Sequence, residues 1–113
     1  MITIYHNPRC SKSRQGLALL EDSGKPFKVV KYLEDQLTVS ELEGIISKLQ
    51  IKPINLVRKN ETIWKSDFKS KTLSEKQMVE AMVLHPKLIE RPIVVNKNKA
   101  VVGRPTETIL EII

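Results

Sequence analysis

The first 33 residues confine the fold more tightly than any other stretch of the chain. ITIY at 2–5 reads as a short strand. A helix follows from about Ser11, with Leu17 and Leu20 facing inward and Gly24 where a left-handed residue closes it. FKVVKYL at 27–33 then alternates as a second strand, with Phe27, Val29, Lys31 and Leu33 on one side. A helix between two strands is a crossover, so the strands run parallel.

The middle of the chain changes period. Thr38 and Glu41 form a capping box ahead of Leu42, Ile45, Ile46 and Leu49, which recur at helical spacing. Pro53 to Val57 reads as a short helical turn and 58–71 as irregular. Ser74 and Gln77 make a second capping box, with Leu73 and Met78 as its hydrophobic staple, and Pro86 ends that helix near His85. Residues 38–86 carry no strand signal.

Strands return at PIVV (92–95) and AVV (100–102), joined across NKNK as a hairpin. Pro105 suits the first position of a closing helix that turns Ile109, Ile112 and Ile113 to the core. The order is βαβ, a helical block, then ββα. The fold expected is α/β and thioredoxin-like: one domain over 1–113, with a helical insertion at about 36–88.

A chain of 113 residues with 41% apolar and 28% charged residues suits one soluble domain. No apolar run approaches a membrane span and no signal peptide opens the chain. The net charge is +6, but the lysines are spread along the chain. Tyr5, Phe27, Tyr32, Trp64 and Phe68 are the aromatics, which does not make a nucleic-acid surface. The charge suits a solvated surface or a small anionic partner. One cysteine excludes a disulfide framework and a multi-cysteine zinc site, and two histidines do not make a metal cluster. A reducing cytoplasm is the expected setting.

That cysteine, Cys10, stands at the turn from the first strand into the first helix. Helix N-termini present free N–H groups and the positive end of the dipole, so they attract anions and favour thiolate over thiol. Arg9, Lys12 and Arg14 add charge, and Ser11 and Ser13 add hydroxyls. Cys10 follows Pro8 and precedes a polar run, as an accessible nucleophile would, rather than lying in an apolar stripe. A C-x-x-C dithiol would need cysteine at 13, where the chain has Ser13; a C-x5-R phosphate loop would need arginine at 16, where it has Gly16. A single thiol must therefore hand its oxidised state to an outside thiol.

ITIYHNPRCSKSRQGLALL near the start, LVRKN at 56–60, HPKLIERPIVV at 85–95 and VGRP at 102–105 together resemble the glutaredoxin-coupled arsenate reductase family, ArsC. The resemblance implies a thioredoxin-like fold with a helical insertion. It assigns the catalytic cysteine to Cys10, the anion-gripping arginines to Arg58, Arg91 and Arg104, and a thiolate-tuning histidine to His6. Pro92 becomes the cis-proline set beside the active cysteine. Ser11, Lys12 and Ser13 fall on the anion loop, and Arg14 is a supporting residue. The family's usual wording after the cysteine is Gly-Thr-Ser-Arg, whereas this chain has Ser11-Lys12-Ser13-Arg14.

The implied cycle begins with Cys10 displacing hydroxide from arsenate or a related oxyanion. Glutathione serves as co-substrate, and glutaredoxin clears the mixed disulfide. No tightly bound cofactor, nucleic acid or membrane is expected. Guanidinium forks suit such an oxyanion and offset its repulsion of the thiolate. Two alternatives share the scaffold: a glutathione-dependent thiol reductase without arsenate specificity, and an Spx-type redox regulator that docks on RNA polymerase. Such regulators carry a C-x-x-C switch, which Ser13 removes.

Overall fold

β1 (Ile2–Tyr5) and β2 (Phe27–Val30) pair in parallel, in register from Ile2–Phe27 to Tyr5–Val30. The computed structural model describes residues 1–113, which group into two units: 1–35 with 91–113, and 36–90. In the first unit, α1 (Ser11–Ser23) is the crossover. Gly24 ends it at φ 72, donating its N–H to the Glu21 carbonyl. β3 (Ile93–Asn96) runs antiparallel on the other side of β1, and β4 (Lys99–Val102) returns antiparallel to β3, giving the order β2-β1-β3-β4. The hairpin turn expected at NKNK is present, with Lys97 left-handed at φ 58. This four-stranded sheet with its helices is the α/β, thioredoxin-like arrangement expected from the pattern.

Ile2, Ile4, Leu20, Val94 and Ile109 form the buried core of this unit, with Leu17, Phe27, Val101, Ile112 and Ile113 partly buried against it. Each such side chain contributes about 1.5–3 kcal/mol when fully buried.

Two expected elements take a different form. β2 stops at Val30, and Phe27, Lys28, Val29 and Val30 do not alternate in burial; Val29 is exposed. β2 is an edge strand, and the Lys31 carbonyl accepts the N–H groups of Glu34 and Asp35, so the chain turns and buries Tyr32 instead of Lys31 and Leu33. The closing helix is a 3-10 helix, Thr106–Glu111, and Pro105 precedes it with extended backbone rather than occupying its first turn. The Arg104–Pro105 peptide is cis, as is Arg91–Pro92.

Pro92 sets a tight contact. A Cβ on Gly16 would lie 2.9 Å from Pro92 Cγ and 3.2 Å from Ile109 Cδ1; one on Gly103 would lie 3.0 Å from both. Glycine at 16 lets α1 approach the proline ring. Alanine would gain about 1 kcal/mol in helix propensity but overpack a rigid ring, which costs roughly 1–3 kcal/mol. Gly16→Ala is therefore expected to lose about 1 kcal/mol net in urea unfolding. A gain in stability would show that the ring yields freely.

In the second unit, both capping boxes are complete. Thr38 and Glu41 exchange side-chain-to-backbone bonds at 3.1 Å and start α2 (Val39–Leu49). Ser74 and Gln77 do the same ahead of α4 (Glu75–Leu84). Leu42, Ile45 and Ile46 of α2, Val79, Ala81 and Met82 of α4, and Leu56 and Leu88 are buried. Pro53–Leu56 forms the expected short turn. The stretch read as irregular contains a helix, α3 (Thr62–Asp67), where Trp64 is buried and stacks on Phe68 at 5.8 Å. Val57 and Ile89 make an isolated antiparallel bridge: Arg58 N–H donates to the Leu88 carbonyl at 2.7 Å, and Glu90 N–H to the Leu56 carbonyl at 2.9 Å. No helix is long and apolar enough to cross a membrane.

Topology brings one end of the sheet into use. β1, β2 and β4 finish at the end where β3 begins, because Tyr5, Val30, Ile93 and Val102 stand side by side. The segments leaving that end carry Cys10, Lys31, Arg91 and Arg104.

Candidate active site

The loop from β1 to α1 is organised by Asn7. Its side-chain oxygen accepts the Arg9 N–H at 3.0 Å, and its carbonyl accepts the Cys10 N–H at 3.0 Å, an Asx-type turn. His6 donates its N–H to the Val30 carbonyl at 2.8 Å, so the loop leaves the sheet only after His6. Cys10 is the N-cap of α1, with extended backbone (φ −99, ψ 124), and its carbonyl accepts the Arg14 N–H, opening the helix. Its sulfur makes no cap hydrogen bond and is partly exposed. Arg14 Nη1 donates to the Pro8 carbonyl at 2.9 Å, which assigns it to holding the loop.

Ser11 and Lys12 are exposed, but Ser13 is wholly buried. Its hydroxyl oxygen accepts the Asn7 N–H at 2.9 Å and lies 2.7 Å from His6 Nδ1. Of the three residues of the expected anion loop, Ser13 thus has its side chain turned inward as a brace.

His6 is itself buried. Burial, then the charges of Lys31 and Arg14, hold its pKa below the ordinary 6.5, outweighing the opposite effect of the Ser13 backbone. Folding therefore favours the neutral ring. The unfolded chain takes up a proton at about pH 6.5 while the folded one does so only lower, so the full contribution to stability is present above 6.5. Stability falls as the pH drops below that value, by up to about 1.4 kcal/mol per pH unit. His6→Asn should flatten this part of the stability–pH curve between pH 7.5 and 5; an unchanged slope would assign it to other groups.

Arg104 reaches the cysteine. Its Nη2 lies 3.5 Å from Cys10 Sγ, and its Nε donates to the Arg91 carbonyl at 2.7 Å. The backbone before one cis-proline thus orients the guanidinium that precedes the other. Arg91 Nε is buried with no hydrogen-bond partner in the chain, an arrangement native proteins keep sparingly. Thr106 donates its hydroxyl to Gln15 Oε1 at 3.3 Å, a further link between the Arg104 segment and α1. Arg58 belongs to the 36–90 unit. There its guanidinium lies 3.3 Å from a Glu61 carboxylate oxygen and 3.5 Å from one of Glu90, the residue the Val57–Ile89 bridge sets nearby. His85 ends α4, its ring edge-on to Phe68.

Arg104 stands beside Cys10, held there by the Arg91 carbonyl, with His6 and Ser13 braced behind the loop. Asn7 was not singled out from the sequence, and Pro105 was read only as the start of a closing helix, not as a second cis-proline. The Asn7-Pro8 pair is a turn signal that points to the first; X-Pro bonds carry no mark of their isomer, so none pointed to the second. What results is a thiol at a helix N-terminus with a fixed guanidinium beside it.

Residues 5–112 match the ArsC family. The chain is 45% identical over 114 residues to an arsenate reductase of Haemophilus influenzae, covering 99% of this chain and 98% of that protein. To an arsenate reductase of Neisseria meningitidis it is 43% identical over 110 residues, covering 96% and 94%. The solved structure of an arsenate reductase from Vibrio cholerae superposes with a TM-score of 0.94 at 45% identity, covering 99% of this chain and 97% of that one.

Proposed function

The chain belongs to the ArsC family, and from that premise we propose that it is an arsenate reductase, a cytoplasmic oxidoreductase with Cys10 as its single reacting thiol. The observation that carries this reading is the Arg104 guanidinium 3.5 Å from Cys10 Sγ at the start of α1. A cation so placed faces the oxyanion that the sulfur attacks and offsets the charge that the two bring together. The Arg91 Nε–H is buried without a partner in the chain, and the family motif assigns this side chain a second contact to that oxyanion. The family motif assigns Arg58 to the same task.

The thiolate attacks arsenic and forms an S–As bond as hydroxide leaves, taking a proton to become water. A glutathione thiolate then attacks Cys10 Sγ. An S–S bond forms, the S–As electron pair passes to arsenic, and arsenic goes from the +5 to the +3 state and leaves as arsenite. A glutaredoxin thiolate takes the glutathione from the mixed disulfide and returns Cys10 as thiolate.

The test is arsenite formation from arsenate with glutathione and glutaredoxin. Losing a charge-assisted hydrogen bond costs about 1.5–3 kcal/mol, so Arg91→Ala should lower kcat/KM roughly 10- to 150-fold, mainly through KM. Arg104→Ala, which also strips the sulfur of its cation, should lower kcat as well. Wild-type protein that forms no arsenite would overturn the reading.

A further inference from the structure

We propose that Arg9 and Lys12 recognise the carboxylates of the thiol that reduces Cys10, and so make the protein selective for an anionic, glutathione-class reductant over neutral or cationic thiols. The proposal rests on Cys10 being the reacting thiol.

The cations around Cys10 divide by occupation. Arg14 is bonded to the Pro8 carbonyl, and Arg104 to the Arg91 carbonyl and the sulfur. Arg9 and Lys12 flank the cysteine one and two residues away, are exposed, and have side chains without a hydrogen bond or ion pair. The backbone of Arg9 is fixed by the Asn7 side chain, and Lys12 sits in the first turn of α1, so both charges spring from ordered positions.

Neither side chain is paired with a carboxylate. The stretches Tyr5–Leu20 and Arg91–Thr106, which hold Cys10 and Arg104, contain no aspartate or glutamate. One oxyanion at the sulfur engages Arg104. The second reactant attacks the same partly exposed sulfur, which Arg9 and Lys12 flank in the chain.

The proposed contact can be read without arsenate. Cys10 thiolate attacks a disulfide, forms the mixed disulfide and expels the other half as thiolate, so no outside oxidant is needed. The rate is followed by intact mass with glutathione disulfide (anionic), bis(2-hydroxyethyl) disulfide (neutral) and cystamine (cationic). Any change in the sulfur's intrinsic reactivity moves all three rates together and cancels in their ratios. In Arg9→Glu/Lys12→Glu the anionic-to-neutral ratio should fall about tenfold, and the cationic-to-neutral ratio should rise. In the wild type the anionic preference should shrink as salt screens it. Lys99→Glu makes the same kind of charge change at the opposite end of the sheet, since Lys99 pairs with Asn96 and Asn96 with Ile2, and should leave the ratios alone.

Unchanged ratios in the double variant, or an equal fall in Lys99→Glu, would overturn the proposal. Wild type without an anionic preference would overturn it too, even if arsenate is reduced. An anionic preference lost in the double variant, in a protein that forms no arsenite, would uphold this inference while overturning the arsenate reading.

Discussion

Cys10→Ser protein is expected to form no arsenite and to be at least as stable as the wild type. The loss should exceed that of either arginine variant, roughly 10³-fold or more, because it is chemical rather than electrostatic. A serine hydroxyl is not ionised at neutral pH, and even an oxygen bound to arsenic could not form the disulfide through which the electrons pass. Stability should move the other way. Cys10 is the N-cap of α1 but its sulfur caps nothing, while its backbone supplies the bonds to Asn7 and Arg14. Serine keeps those backbone bonds and adds a hydroxyl able to accept a first-turn N–H, which is worth about 0.5–1 kcal/mol. A chain of this size converts that into a rise of a few degrees in Tm. The pairing of lost turnover with an unchanged or higher Tm separates a missing nucleophile from a misfolded site. Residual turnover in this variant would show that the reaction does not pass through Cys10.

What the sequence revealed about the fold follows the range of the interactions involved. The capping boxes at Thr38 and Ser74 are local hydrogen bonds between residues three apart, and both form as read. The parallel pairing of β1 and β2 follows from the crossover between them, and Gly24 ends α1 because only its own backbone angle is at issue. Long-range features were less legible. β3 pairs with β1 across most of the chain, and it is this pairing that puts Arg91 at the same sheet end as Cys10. The burial of Tyr32 rather than Lys31 depends on where an edge strand stops, which alternation alone does not mark. α3 lies in a polar stretch where Trp64 supplies the buried contact that periodicity could not announce.

The same division holds in the site. The setting of Cys10 was legible because it is fixed by adjacent residues and a helix start. The arginines were identified through motif resemblance, and composition or spacing alone would not have singled them out from 19 lysines and arginines. Ser13 read as a polar residue on an exposed loop. Its burial arises because the loop folds back to leave Asn7 N–H and His6 Nδ1 facing the third residue of the helix.

That inward turn gives Ser13→Ala a large expected effect, about 2–4 kcal/mol of lost stability. The hydroxyl serves two buried groups at once, at 2.9 Å to Asn7 N–H and 2.7 Å to His6 Nδ1. Removing it leaves both without that partner where water is excluded, at about 1–3 kcal/mol each. Alanine recovers about 0.5 kcal/mol of helix propensity, too little to offset the loss. Against the 5–15 kcal/mol typical of a whole domain, this one hydroxyl is a substantial fraction. The damage should also reach the chemistry, because Asn7 holds the backbone of Arg9 and Cys10. A loosened Asn7 lets Sγ drift from Arg104, so kcat should fall even at temperatures where the variant remains folded. Urea unfolding beside steady-state kinetics tests both parts. A loss below about 0.5 kcal/mol would mean that Asn7 and His6 find other partners when the hydroxyl is gone; a full loss with kcat unchanged would confine Ser13 to stability and separate the brace from the nucleophile it supports.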